Sequence, residues 1–74
     1  MEFGRQITVM RAVRGMHQKE LARLSGIPNY TLSLIETGKM LPTAGTEAKI
    51  KRALRWPARA AEAFAILEGE GEAA

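Results

Sequence analysis

Asn29, Tyr30, Ser33, Leu34 and Thr37 hold the chemistry that this 74-residue sequence offers most clearly. At about 100° per residue they lie around the side of a short helix away from Leu32 and Ile35, with Asn29 on the shoulder. Leu32 and Ile35 fall within about 60° of each other and mark the buried side. The chemistry is recognition rather than catalysis: an amide, a phenol and two hydroxyls donate and accept hydrogen bonds, and a leucine meets a methyl group. Such a face, entered through a sharp turn, suits the major groove of double-stranded DNA. There Asn29 can bond adenine bidentately, Ser33 can donate or accept, Leu34 can meet a thymine methyl, and Tyr30 can reach a base or a phosphate. Taken alone, the pattern also fits an ordinary amphipathic helical hairpin.

The residues that must position this face run from Gln18 to Lys39 and predict two short helices around a tight turn. Leu21, Ala22 and Ser25 supply the inner side of the first helix, and Gly26 permits the left-handed backbone where it ends. Pro28 suits the first turn of the second helix, which is expected over about Asn29 to Thr37 with Gly38 as its stop. The order QKELARLSGI...SLIETGK resembles the phage Cro and repressor type of helix-turn-helix, the xenobiotic-response-element family, over roughly residues 5 to 56. The most specific points are Gln18, Glu20, Leu21, Ala22, Gly26, Leu32, Ile35, Glu36, Gly38 and Lys39.

That resemblance implies an all-α fold, a compact lambda-repressor-like bundle of about five short helices. It also implies a sequence-specific DNA-binding transcriptional regulator. It assigns Gln18 to the DNA backbone, at a helix start where free N–H groups and the positive dipole end attract a phosphate. Lys39 is expected to share that role. Arg11 and Glu36 are implied as a structural ion pair locking the first helix to the third. The sequence departs from the family after Gly38: in place of a basic run before a proline it has KMLP, with only Lys39 charged. Met40 and Leu41 then have core packing as their default role and a partner surface as the sharper alternative.

Outside this centre, Ile7, Met10 and Arg14 share one face of a first helix over Gly4 to Arg14, which Gly15 ends. His17 stands at the next N-cap with Glu20 placed for a capping box, so the single histidine is expected to be a cap or loop residue. A fourth helix, capped by Thr43 or Thr46, has Ile50, Ala53 and Leu54 as its apolar stripe, with Lys51, Arg52 and Arg55 on a solvated side. Trp56 and Pro57 end it. A last helix over residues 57 to 67 aligns Ala60, Phe64 and Leu67, with Ala61 and Ala63 beside them.

Composition narrows the classes. The chain predicts one small domain over residues 1–67, and an acidic tail over residues 68–74 whose alternating glycine and glutamate cannot bury enough to offset their ordering entropy. The net charge is +3, yet residues 1–67 hold all eleven basic residues and five of the eight acidic ones, a body of +6 that favours a polyanion. With no cysteine and one histidine, no disulfide, metal site or cofactor is expected, and a reducing cytoplasm is the expected location. Nothing supplies an activated nucleophile or a paired acid and base, so no enzyme and no small-molecule ligand are expected. No apolar run reaches the ~20 residues needed to span a membrane.

The expected partner is double-stranded DNA, bound by a homodimer on a near-palindromic site. One helix reads too few base pairs to mark a unique site, and Met40 and Leu41, together with the exposed side of the helix over residues 57 to 67, are the candidate dimer contact. Phage repressor or Cro-like proteins, restriction–modification controllers and antitoxins of this fold are equally short. The alternative from another class is a protein-interaction module that keeps the scaffold but binds RNA polymerase or another regulator.

Overall fold

The computed structural model describes residues 1–57, Ala60 and residues 64–66. Among these, all regular structure is helical: α1 Phe3–Arg14, α2 Gln18–Ser25, α3 Asn29–Glu36 and α4 Ala44–Ala53, with Ala60 and residues 64–66 helical beyond them. The fold is an all-α bundle. The expected roles of Ala61, Ala63 and Leu67, and of the 68–74 tail, fall outside the described residues.

Each helix stops for a local reason. At the end of α1 the N–H of Gly15 donates to Ala12 O and that of Met16 to Arg11 O, a paired closure that needs left-handed backbone at Gly15 (φ 62°). The same closure recurs after α3, where Gly38 (φ 78°) donates to Ile35 O and Lys39 to Leu34 O. Helix α4 starts as a capped helix should: Thr43 Oγ1 accepts the N–H of Thr46 at 3.2 Å. Its far end repeats the paired closure with Arg55 N–H to Arg52 O and Trp56 N–H to Lys51 O, but a non-glycine residue, Arg55, takes the left-handed position (φ 52°).

The apolar stripes converge on one core. Ile7, Leu21, Leu32, Ile35, Ile50 and Leu54 are fully or almost fully buried, each stabilising the fold by roughly 1.5–3 kcal/mol relative to exposure. Ala60 and Phe64 close the core from the far end of the described chain. Ala22 is only half-buried.

Two features of α1 lie beyond what its periodicity predicts. A Cβ on Gly4 would sit 2.2 Å from Ile35 O and 2.9 Å from Glu36 O, so only glycine lets α1 come this close to the last turn of α3. Arg14, on the same side as Ile7 and Met10, sends its guanidinium to the end of α4, with Nε donating to Leu54 O at 3.0 Å and Nη2 to Arg55 O at 2.8 Å. Carbonyls at a helix end lack intrahelical partners, and a cation suits the negative end of a helix.

The aromatic residues correct the reading of the fourth helix's polar side. Trp56 does more than end a helix: its ring packs between Phe3 and Phe64, with centroids 5.8 and 5.6 Å away. Lys51 is only partly solvated: its ammonium lies 5.7 Å from the centroids of both Phe3 and Trp56 and 3.0 Å from Glu47 Oε1, with 41% of its side chain still exposed. A lysine stem can lie along apolar rings while its head keeps a carboxylate, a placement that a helical wheel of α4 alone does not include.

Candidate nucleic-acid interface

Helices α2 and α3 are joined by Gly26, Ile27 and Pro28. Gly26 is left-handed (φ 74°) and its N–H closes α2 on Ala22 O at 2.9 Å. Ser25 is buried, and its Oγ accepts the N–H of Ile27 at 3.2 Å, bracing the turn from inside. Ile27 is buried, which anchors the turn to the core. Pro28 is the N-cap of α3.

On α3 the two sides separate. Leu32 and Ile35 are buried; Asn29, Tyr30 and Thr37 are exposed, and Tyr30 keeps 74% of its surface. Ser33 and Leu34 are half-buried, so Leu34 is less outward than its helical wheel suggests. Its carbonyl accepts the N–H groups of both Lys39 and Met40 as the chain folds back after Gly38. Thr37 follows the last helical residue, and its hydroxyl bonds back to Ser33 O at 2.8 Å and Leu34 O at 3.3 Å. One hydroxyl hydrogen is thereby engaged, so toward a base Thr37 presents acceptor lone pairs.

Glu36, at the end of α3, gathers side chains from two other helices, α1 and α2. Its side chain is 6% exposed, and Arg11 reaches it with Nη2 2.7 Å from Oε1 and Nε 3.2 Å from Oε2. Arg11 Nη1 also donates to Met16 O at 3.1 Å, tying the α1–α2 connection to the same guanidinium. Thr8 Oγ1 lies 2.9 Å from Oε1, and Gln18 Nε2 donates to Oε2 at 3.1 Å. Nothing in the local spacing of Thr8 or Gln18 points to this carboxylate; only the packing of α1 and α2 against α3 brings them there.

Two expectations at this site are corrected. His17 is the N-cap of α2 but makes no side-chain capping bond, and Glu20 is exposed, without the return bond of a capping box. A rigid ring with one acceptor nitrogen offers fewer capping geometries than a hydroxyl or carboxylate, and the N–H of Glu20 bonds to the His17 carbonyl at 3.0 Å instead. Core packing of Met40 and Leu41 is also overturned: they are 38% and 90% exposed, because the turn after Gly38 leads directly to the Thr43 cap and carries Leu41 along the surface. Lys39 is exposed beside them.

A family model described as helix-turn-helix, of Cro and repressor type, matches residues 10–55. The chain belongs to this family. It is a DNA-binding family, and the matched span runs from Met10 on α1 to Arg55 after α4, so it includes Arg11, Gln18, all of α3 and Lys39. No curated protein and no solved structure matches the chain. The helix-turn-helix domain carries no group of three or more potential metal ligands among its described residues, and none of its described helices is long and apolar enough to cross a membrane.

Proposed function

We propose that this helix-turn-helix domain is a sequence-specific transcriptional regulator that lays α3 in the major groove of double-stranded DNA. The observation that carries this reading is the division of α3 into a buried side, Leu32 and Ile35, and an accessible side bearing Asn29, Tyr30 and Thr37 with Ser33 and Leu34 beside them. Base-edge hydrogen bonding needs such groups free of the core. Gln18, at the first turn of α2, and the exposed Lys39, just past α3, act on the phosphate backbone and set register.

The functional unit is a two-fold dimer on DNA. Two copies of α3 then enter successive major grooves about 34 Å apart, and the site is a near-palindrome with half-sites ~10 base pairs apart. Met40, Leu41 and Ile66, which is 62% exposed, supply apolar surface for the contact between copies. Selection of bound sequences from a random DNA pool tests site and symmetry together. The expected result is a dyad bound by two chains; selected sites with no dyad, or one chain per duplex, would remove the dimer.

The 90% exposure of Leu41 gives a second reading some weight: the scaffold docks on RNA polymerase or another regulator through this turn. A mobility shift on random-sequence DNA at low salt separates the two, because a protein-only module has no reason to retard there.

A further inference from the structure

We infer that Thr8, acting through Glu36, is a positioning residue that orients Gln18 toward a DNA phosphate. This rests on the reading of Gln18 as a backbone contact and explains what holds its side chain ready for one. A carboxylate has about four lone-pair sites. In Glu36 all are in use: Oε1 faces Thr8 Oγ1 at 2.9 Å and Arg11 Nη2 at 2.7 Å, and Oε2 accepts Arg11 Nε at 3.2 Å and Gln18 Nε2 at 3.1 Å. The group has no spare direction in which to rotate.

The consequence falls on Gln18. A glutamine amide can present either its oxygen or its nitrogen, but an ionised carboxylate only accepts, so Glu36 selects the nitrogen end. One Nε2–H is then held by Glu36, and the second is available to an incoming phosphate oxygen beside the first-turn N–H groups of α2. A flipped amide would place two acceptors face to face. Arg11 has a separate part: by pairing with Glu36 it removes the negative charge that would otherwise repel a phosphate so close to Gln18.

Thr8 is the member of this cluster that can be changed without exposing a buried charge. It is exposed on α1, and its hydroxyl also lies 3.3 Å from Gly4 O. With one hydrogen to give, the shorter contact to a charged acceptor takes it. Removing that hydroxyl frees one lone pair of Oε1 and leaves Arg11 as the remaining hold from α1, so the carboxylate is fixed less firmly and Gln18 with it.

The test is binding of the full chain to a labelled random-sequence duplex, comparing the parent, Thr8→Val, Thr8→Ser, Gln18→Ala and the double variant Thr8→Val/Gln18→Ala. Thr8→Val is expected to weaken binding by about two- to fivefold, the effect of one indirect hydrogen bond, with Thr8→Ser close to the parent. In the Gln18→Ala background, Thr8→Val is expected to have no further effect, a dependence that a purely structural role of Thr8 would not produce. If Gln18→Ala weakens binding but Thr8→Val does nothing, or costs the same in both backgrounds, the positioning role is wrong and the Gln18 contact stands. If Gln18→Ala binds like the parent, the phosphate contact itself fails and the positioning role with it.

Discussion

Helix α1 is fastened in two places by different physics. Toward α3, the row Gly4, Thr8 and Arg11 meets the helix end through a backbone approach, a hydroxyl contact and an ion pair with a carboxylate 6% exposed. Toward the end of α4, Arg14 adds two hydrogen bonds to Leu54 O and Arg55 O, but most of the contact is ring packing: Phe3 meets Trp56 ring to ring, Trp56 meets Phe64, and Lys51 lies over the Phe3 and Trp56 rings. Directional bonds fix where an atom points; ring packing fixes how close two elements come and tolerates tilt. The directional contact lies beside the proposed DNA-contacting residues Gln18 and Lys39, where orientation matters. The tolerant one lies where the bundle only has to close.

The largest expected effect is at the polar contact. Glu36→Ala leaves Arg11 half-buried without its partner and should cost about 3–5 kcal/mol. Replacing both, Arg11→Met with Glu36→Leu, should cost far less than the sum, because no unpaired charge remains. Urea denaturation of the parent, Arg11→Met, Glu36→Leu and the double variant gives the coupling, and additive losses would show that the pair acts as two independent charges. At the aromatic contact Trp56→Ala should cost about 2–3 kcal/mol, below the range for a fully buried tryptophan because Trp56 is only half-buried. Trp56→Leu should recover part of that loss, whereas a charge-removing isostere at the polar contact, Glu36→Gln, should recover little.

Gly4→Ala follows. Its methyl would meet two carbonyl oxygens of α3, which are backbone and cannot swing away, so α1 must lift from α3 at a cost of about 1–3 kcal/mol despite alanine's better helix propensity. A melting temperature equal to or above the parent's would show that the two helices are not in such close contact in solution.

The outward side of α3 should respond in the opposite way, with stability kept and DNA preference changed. Asn29→Ala or Ser33→Ala should lose about 1–3 kcal/mol of discrimination at particular base pairs. Lys39→Ala should weaken all sequences alike and flatten the salt dependence by about one counterion. Equal and sequence-blind losses for the three variants would remove α3 as the reading element.

What was legible in the sequence follows the same division. The two-helix layout, the stops at Gly15, Gly26 and Gly38, and the buried sides of α1, α3 and α4 rest on local periodicity and turn chemistry, which short segments encode by themselves. The pairing of Arg11 with Glu36, 25 residues apart, came through the resemblance to the Cro and repressor family and not from spacing. Thr8 and Gln18 on the same carboxylate, the need for glycine at position 4, and Lys51 over two rings all depend on how helices pack, which no helical wheel contains. The packing default for Met40 and Leu41 failed because a short turn between a glycine stop and a threonine cap leaves no length to fold back onto the core. His17 stands at the N-cap as its position predicts, but the capping box with Glu20 failed because spacing alone does not make the side-chain bonds.

The smallest expected effect lies at the end of α4 and sharpens the contrast between the two contacts. Three of the four closures described above place glycine in the left-handed region, and the fourth places Arg55 there at φ 52°. A non-glycine residue in that region costs about 1–2 kcal/mol, and glycine loses about 0.4–1 kcal/mol of that advantage through the greater freedom of the unfolded chain. Arg55→Gly should therefore stabilise the domain by roughly 0.5–1 kcal/mol. The Arg14 bond to the carbonyl of residue 55 uses backbone and survives the change. If the aromatic closure is the tolerant one, relieving this strain should leave DNA affinity and base preference where they were, since neither Gln18 nor α3 has to move. Thermal denaturation and a binding titration on the same variant decide it: a gain in stability with unchanged binding keeps the two contacts independent, and a change in binding would mean that the end of α4 also sets the orientation of α3.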